Sequence, residues 1–195
     1  MAKRIDVEEE IYTHEYLWRS STYLVEKAGE PGADYRQLIP ALLMSFLAFE
    51  AFVNFLGHTI APDLWVDEKK NFKGKGLEGK LSAISDRLPS FRWEKGKPPY
   101  QSVKALEAYR DMVSHGKVIA SRYVAEQKED GTHFRFQHAW DEYLSVPAVN
   151  KAREQIRQFS NLLLEAARKV LDDPHLMFEA YEGSLAHGSG SPAGA

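Results

Sequence analysis

Two residues that can do chemistry near neutral pH, Arg110 and His115, lie close together in the segment YQSVKALEAYRDMVSHGK. An imidazole can transfer a proton near pH 7, and a guanidinium keeps its positive charge and can neutralise a phosphate. The pair therefore indicates proton transfer at a phosphate, and the alternative is that both side chains make ordinary surface ion pairs. Apolar residues at helical spacing predict that one helix carries both groups. These residues are Val103, Leu106, Tyr109 and Val113.

The position of His115 within that helix follows from its neighbours. Gly116 comes directly after it, and a glycine there commonly ends a helix. Asp111 lies four residues before His115, which places a carboxylate one helical turn beneath the imidazole. We therefore expect His115 in the last turn, close to Asp111.

A second polar pair lies upstream, in the strongly apolar segment LLMSFLAFEAFVNFLGH. A segment that is apolar almost all round predicts a central, buried helix. Glu50 and Asn54 share one face of this helix, one turn apart, and buried polar groups need partners. They either face the helix of the Arg–His pair and orient it, or cap a loop or a neighbouring helix end.

Together these features resemble the HEPN domain (higher eukaryote and prokaryote nucleotide-binding). The hexapeptide RDMVSH fits the family's Arg-x(4–6)-His signature and follows a Lys- and Pro-rich loop. The upstream helix that carries Glu50 and Asn54 looks like the family's other core helix. The resemblance covers about residues 36–171. It implies an all-α, up-and-down bundle of four to five helices, and metal-independent cleavage of RNA by Arg110 and His115.

The resemblance also implies a dimer. Cleavage of RNA through its own 2′-hydroxyl needs a base, an acid and positive charge on the phosphate. One subunit offers one well-placed His and one Arg, which is one proton-transfer group short. HEPN sites are generally built across a two-fold axis, so we expect a homodimer that acts on an RNA substrate. The residues expected to support this site are Asp111, Ser114, Glu50, Asn54 and Lys117.

Within the family, the resemblance points to a toxin or defence ribonuclease with an antitoxin or a nucleotidyltransferase as partner. In the toxin branch that is paired with a nucleotidyltransferase, the motif extends to His-x-Tyr, and that Tyr is the modification target. The corresponding residue here is Lys117, which departs from that route of silencing and could instead add charge beside the phosphate. The alternative function is a non-catalytic HEPN dimer that binds a nucleotide or a partner protein, because fold alone does not settle function.

The distribution of charge is uneven along the chain. The net charge is −3, yet the stretch from Lys69 to Lys117 carries 12 Lys and Arg against 5 Asp and Glu. This local charge of +7 leaves −10 for the remaining residues. A basic stretch next to the Arg–His pair is what a polyanion site needs, and the alternative is an ordinary solvated loop.

The composition of the chain limits the cellular compartment and the kinds of catalysis that we expect. The chain has no cysteine, which excludes disulfides and thiol catalysis. The N-terminal MAKRIDVEEE is too charged for the apolar part of a signal peptide, and the longest apolar run, Leu38 to Leu56, is interrupted by Ser45, Glu50 and Asn54. We therefore expect a cytoplasmic protein that does not enter a membrane. No Asp/Glu cluster of the two-metal kind is evident, so no metal or cofactor is expected.

The remaining pattern predicts helices on both sides of the Arg–His segment and one insertion. Helices are predicted from Asp6 to about Gly29, from Tyr35 or Pro40 to Gly57, from Leu77 to Leu88 and from Ser145 to about Leu171, with a loop over 61–76. After Gly116 the spacing changes to alternation, which predicts a small β-hairpin between residues 118 and 140. We expect one HEPN-like domain over residues 1–175 and a flexible tail over 176–195.

Overall fold

The computed structural model describes residues 12–116, 141–172, 176 and 179–182. These residues are mostly helical, and none of them lies in a β-strand, which confirms the all-α class for this part of the chain. The predicted β-hairpin falls on residues 118–140, which lie outside the described residues. The predicted start of the first helix at Asp6 lies outside them as well.

The described helices follow the apolar spacing of the sequence. They are α1 (Thr13–Ala28), α2 (Leu38–Ile60), α3 (Pro62–Trp65), α4 (Glu68–Asn71), α5 (Gly76–Arg87), α6 (Tyr100–His115) and α7 (Val146–Arg168). Short 3₁₀ turns, Tyr35–Gln37 and Asp141–Tyr143, precede α2 and α7. Pro40 falls in the first turn of α2, where its missing N–H has no intrahelical partner to lose.

One prediction about local structure is wrong. Residues 61–76 were expected to form a loop, but they contain the short helices α3 and α4. Pro62 is the first residue of α3, a position where its fixed backbone angle favours a helix. Trp65 and Phe72 turn inward, with ring centres 4.6 Å apart, so these two side chains anchor a stretch whose other residues are mostly exposed.

The chain forms two compact units, and the long helices α1, α2 and α7 each contribute residues to both. Within the described residues, the first unit comprises 12–19, 48–92 and the residues from 160 onward. The second comprises 20–47, 93–116 and 141–159. The expectation of a single domain over residues 1–175 stays a prediction.

The first unit is built on aromatic packing. Its fully buried side chains include Phe49, Phe52 and Leu56 of α2, Leu81 and Ile84 of α5, and Leu163 of α7. Tyr181 is buried among them, stacked parallel to Trp18 at 4.2 Å and hydrogen-bonded through its hydroxyl to the hydroxyl of Ser160 at 2.7 Å. Tyr181 thus lies in the packed part of this unit, and the flexible tail expected over residues 176–195 stays a prediction.

The second unit holds α6 in place. Its fully buried side chains include Leu42 and Phe46 of α2, Val103 and Leu106 of α6, and Val149, Ile156 and Phe159 of α7. The hydroxyl of Ser21 on α1 donates to the Ala41 carbonyl oxygen at 2.7 Å and lies 2.6 Å from the hydroxyl of Ser45. At the first turn of α6, the Tyr100 ring lies 5.9 Å from the ring of Phe159.

Among the described residues, one helical stretch, Tyr35–Ile60, is long and apolar enough to cross a membrane by length and composition. Half of its most apolar window is buried inside the protein. Core helices of soluble proteins meet the same criteria, so the finding is weak evidence for a membrane span.

Candidate functional site

The C-terminal end of α6 carries the Arg–His pair, and it forms as the sequence predicts. The helix ends at His115 because Gly116 adopts the left-handed conformation, with φ 52° and ψ 32°. A side chain at this position would strain the backbone, whereas glycine adopts it readily. Ser114 and His115 are exposed in the last turn, so the imidazole is accessible to a ligand.

Arg110 is positioned differently from His115, because it is held against the body of the second unit. Its side chain is 27% exposed, and its guanidinium carbon lies 5.4 Å from the centre of the Phe46 ring. This distance is within the range of a cation–π interaction. One guanidinium nitrogen, Nη1, also lies 3.0 Å from Oδ1 of Asp111. The guanidinium thus has a fixed location between an aromatic ring and a carboxylate.

Asp111 lies one helical turn before His115 on α6 and also contacts a group that the sequence did not indicate. Its described ion pair is with Arg110, and its support of the imidazole stays a prediction. Within the described part of the chain, no ion pair joins Asp111 to His115. The long Arg110 side chain reaches the carboxylate. The imidazole of His115, in the last turn of the helix, is exposed to solvent.

The two candidate catalytic groups do not share one face of α6. Residues five positions apart on an α-helix are separated by about 140° around its axis. This agrees with their environments, since Arg110 is half-buried and His115 is exposed. One copy of α6 therefore presents the guanidinium and the imidazole in different directions.

Two phenols lie close to this end of α6. The rings of Tyr109 and Tyr143 meet edge to face with their centres 5.4 Å apart. Burial raises the pKa of each phenol to about 12, with a smaller contribution from the other charges nearby, so both remain protonated at neutral pH. The sequence predicted Tyr109 as a core residue, but neither Tyr143 nor Phe46 carried a signal that linked it to the site.

Glu50 and Asn54 both lie in the first unit. Asn54 accepts a hydrogen bond from Nζ of Lys80 on α5 at 2.8 Å, and the same ammonium group forms an ion pair with Glu68 of α4. Asn54 thus takes part in a polar cluster that joins three helices. The prediction that Glu50 and Asn54 orient the Arg–His pair stays a prediction, and Lys117 lies outside the described residues.

Among residues 12–116, 141–172 and the short pieces that follow, no group of three or more His, Asp or Glu side chains is close enough to hold a metal ion.

No family model, no curated protein and no solved structure matches the chain. The chemistry available at the end of α6 is that of an exposed imidazole and a guanidinium, which can transfer a proton and bind an anion.

Proposed function

We propose that this protein is a HEPN-like endoribonuclease that cleaves RNA without a metal ion, through a site formed by two copies of α6 in a homodimer. The observation that carries the proposal is the end of α6. There, an exposed imidazole at position 115 follows a half-buried guanidinium at position 110 in the spacing of the family's signature. The finer fold proposed with it is an up-and-down bundle of four to five helices.

The proposed reaction uses the 2′-hydroxyl of the RNA as the nucleophile. His115 accepts the proton of this hydroxyl, and the oxygen attacks the adjacent phosphorus. The bond from phosphorus to the 5′-oxygen of the next nucleotide breaks, and this oxygen takes a proton from His115 of the partner subunit. The products are a 2′,3′-cyclic phosphate and a 5′-hydroxyl. Arg110 neutralises the charge that develops on the phosphorane.

The arrangement of α6 supports a site shared between subunits. The reaction needs two proton-transfer groups, and α6 supplies one imidazole. Because the Arg110 and His115 side chains diverge around the helix by about 140°, a single phosphate is best contacted by the guanidinium of one copy and the imidazole of the other. In the cell, such an enzyme fits a cytoplasmic toxin or defence ribonuclease regulated by an antitoxin or a nucleotidyltransferase.

One observation favours a second function, a non-catalytic HEPN dimer that binds a nucleotide or a partner protein. Arg110 already lies in an ion pair with Asp111 at 3.0 Å, and this carboxylate offsets part of the charge that a phosphorane would need. A module that only binds a ligand does not require that charge to be free.

A cleavage assay separates the two functions. Purified wild-type protein and His115→Ala are incubated with total RNA in excess EDTA, and His58→Ala, which removes an exposed imidazole from α2, is the matched control. Removing a general acid or base typically lowers the rate about 100- to 10,000-fold, so only His115→Ala should leave the RNA intact. Circular dichroism verifies that all three proteins are folded. If wild type and His115→Ala degrade RNA equally, or both leave it intact, the nuclease proposal fails and the binding function replaces it.

A further inference from the structure

Ion pairs neutralise many of the described cations, and in one short segment several exposed lysines without such pairs lie close together in the sequence. Elsewhere, neighbouring carboxylates pair with cations such as Lys27, Arg87 and Lys97. The exposed cations of the α4–α5 segment differ, since none of them forms an ion pair with a described residue. They are Lys69, Lys70, Lys73 and Lys75, which we call the lysine surface.

The lysine surface concentrates positive charge. Its four side chains lie within residues 69–75, which contain no acidic residue. Asp67 and Glu78 flank the segment, and Glu68 is already paired with Lys80. Four exposed positive charges within seven residues raise the local positive potential, which attracts a polyanion.

The backbone beneath the lysine surface is anchored. The side-chain amide of Asn71 donates to the Leu64 carbonyl oxygen at 2.8 Å, which joins α4 to α3. Trp65 and Phe72 are buried against each other on the inner side. Trp65 also packs so closely on Gly57 of α2 that no Cβ would fit between them. The lysines therefore project from a fixed frame, which reduces the entropy that a ligand must overcome.

We infer that the lysine surface binds the phosphates of single-stranded RNA, an inference that rests on the proposed function because it names the substrate class of the same enzyme. Lysine ammonium groups are point charges that attract phosphates without reading bases, so this contact should be independent of sequence. A single strand fits the proposed reaction, because attack by the 2′-hydroxyl in line with the leaving oxygen requires a nucleotide outside the regular stacked helix.

The salt dependence of binding measures this contact. Each phosphate neutralised on a single strand contributes about −0.7 to the slope of log K against log salt concentration. Removing two lysines of the surface should therefore make the slope shallower by about 1.4. It should also weaken binding at low salt.

The test uses a fluorescent 2′-O-methyl oligouridylate, which cannot be cleaved through a 2′-hydroxyl, so that binding to the full-length protein is measured apart from catalysis. Fluorescence anisotropy at several salt concentrations compares wild type, the surface variant Lys70→Gln/Lys73→Gln and the control Lys151→Gln/Lys169→Gln. The control removes two exposed lysines of α7 and the turn after it that also lack an ion pair with a described residue. Circular dichroism and thermal unfolding verify that the variants fold.

The inference predicts a shallower slope and weaker binding for the surface variant alone. Equal effects of the two double substitutions, no effect of either, or no binding by wild type at 50 mM salt would overturn it. Displacement of the RNA by polyglutamate at an equal charge concentration would also overturn it, since the surface would then fit an acidic protein. The two proposals can fail separately. If binding depends on the lysine surface but His115→Ala degrades RNA as wild type does, the binding inference stands and the proposed nuclease function fails.

Discussion

His14 of α1 should make the stability of the protein depend on pH. Its side chain is 7% exposed, and its ring lies 5.1 Å from the ring of Phe55, 5.6 Å from that of Phe52 and 6.2 Å from that of Tyr181. Burial in this aromatic cage lowers the pKa of His14 from 6.5 to about 4. The folded protein therefore holds this imidazole neutral in a pH range where the unfolded chain protonates it.

The sign and the size of the effect follow from this difference. Above about pH 6.5 the imidazole is neutral in both states and has no effect on the free energy of unfolding. As the pH falls from 6.5 toward 4, the unfolded chain binds a proton that the folded protein does not bind, so stability is lost. At about 1.4 kcal/mol for each pKa unit, the whole interval corresponds to about 3 kcal/mol. Of this, about 2 kcal/mol should be lost between pH 7.5 and pH 5.

The assay is urea unfolding at pH 7.5 and pH 5, followed by tryptophan fluorescence, with wild type, His14→Phe and the control His58→Phe. Phenylalanine keeps an aromatic ring in the cage and cannot titrate, so His14→Phe should lose about 2 kcal/mol less stability than wild type on acidification. Any change due to repacking is present at both pH values and cancels. The control variant His58→Phe, which removes an exposed imidazole, should lose the same stability as wild type between the two pH values.

The neighbouring Glu15 is common to all three proteins. Burial raises its pKa, while the nearby Arg19 lowers it. Its titration contributes equally to wild type and to both variants, and it does not enter the comparison. If wild type and His14→Phe lose the same stability between the two pH values, His14 is not held neutral in the folded protein and the reasoning fails.

Three further predictions test the packing, the site and the assembly. Gly57→Ala should lower the free energy of unfolding by about 1–3 kcal/mol, measured by urea unfolding, because its Cβ would overlap the Trp65 ring. The control Gly96→Ala should leave the free energy of unfolding unchanged, since no heavy atom lies within 4 Å of the added Cβ. Arg110→Lys should reduce RNA cleavage about 100-fold in a gel assay, since lysine keeps the charge but loses the planar fork; unchanged cleavage would exclude a role for the guanidinium. Light scattering at micromolar concentration should report twice the mass of one chain, and a monomer would contradict a site shared by two copies of α6.

The local pattern of the sequence was sufficient to predict most of the helices and some of their ends. Apolar spacing identified α2, α5, α6 and α7, because a helix must bury one side and therefore repeats its apolar residues. Gly116 ends α6 through its left-handed backbone. Ser145 caps the start of α7 by accepting a hydrogen bond from the backbone N–H of Ala148 at 3.3 Å. These signals depend on neighbouring residues, so they can be recognised without a fold.

The tertiary structure alone established which distant residues meet. Tyr181 stacks on Trp18, which is far away in the chain. Arg110 lies over Phe46, one of many apolar residues of α2 that look alike in the sequence. Such contacts depend on how the chain folds back on itself, and no local spacing encodes them.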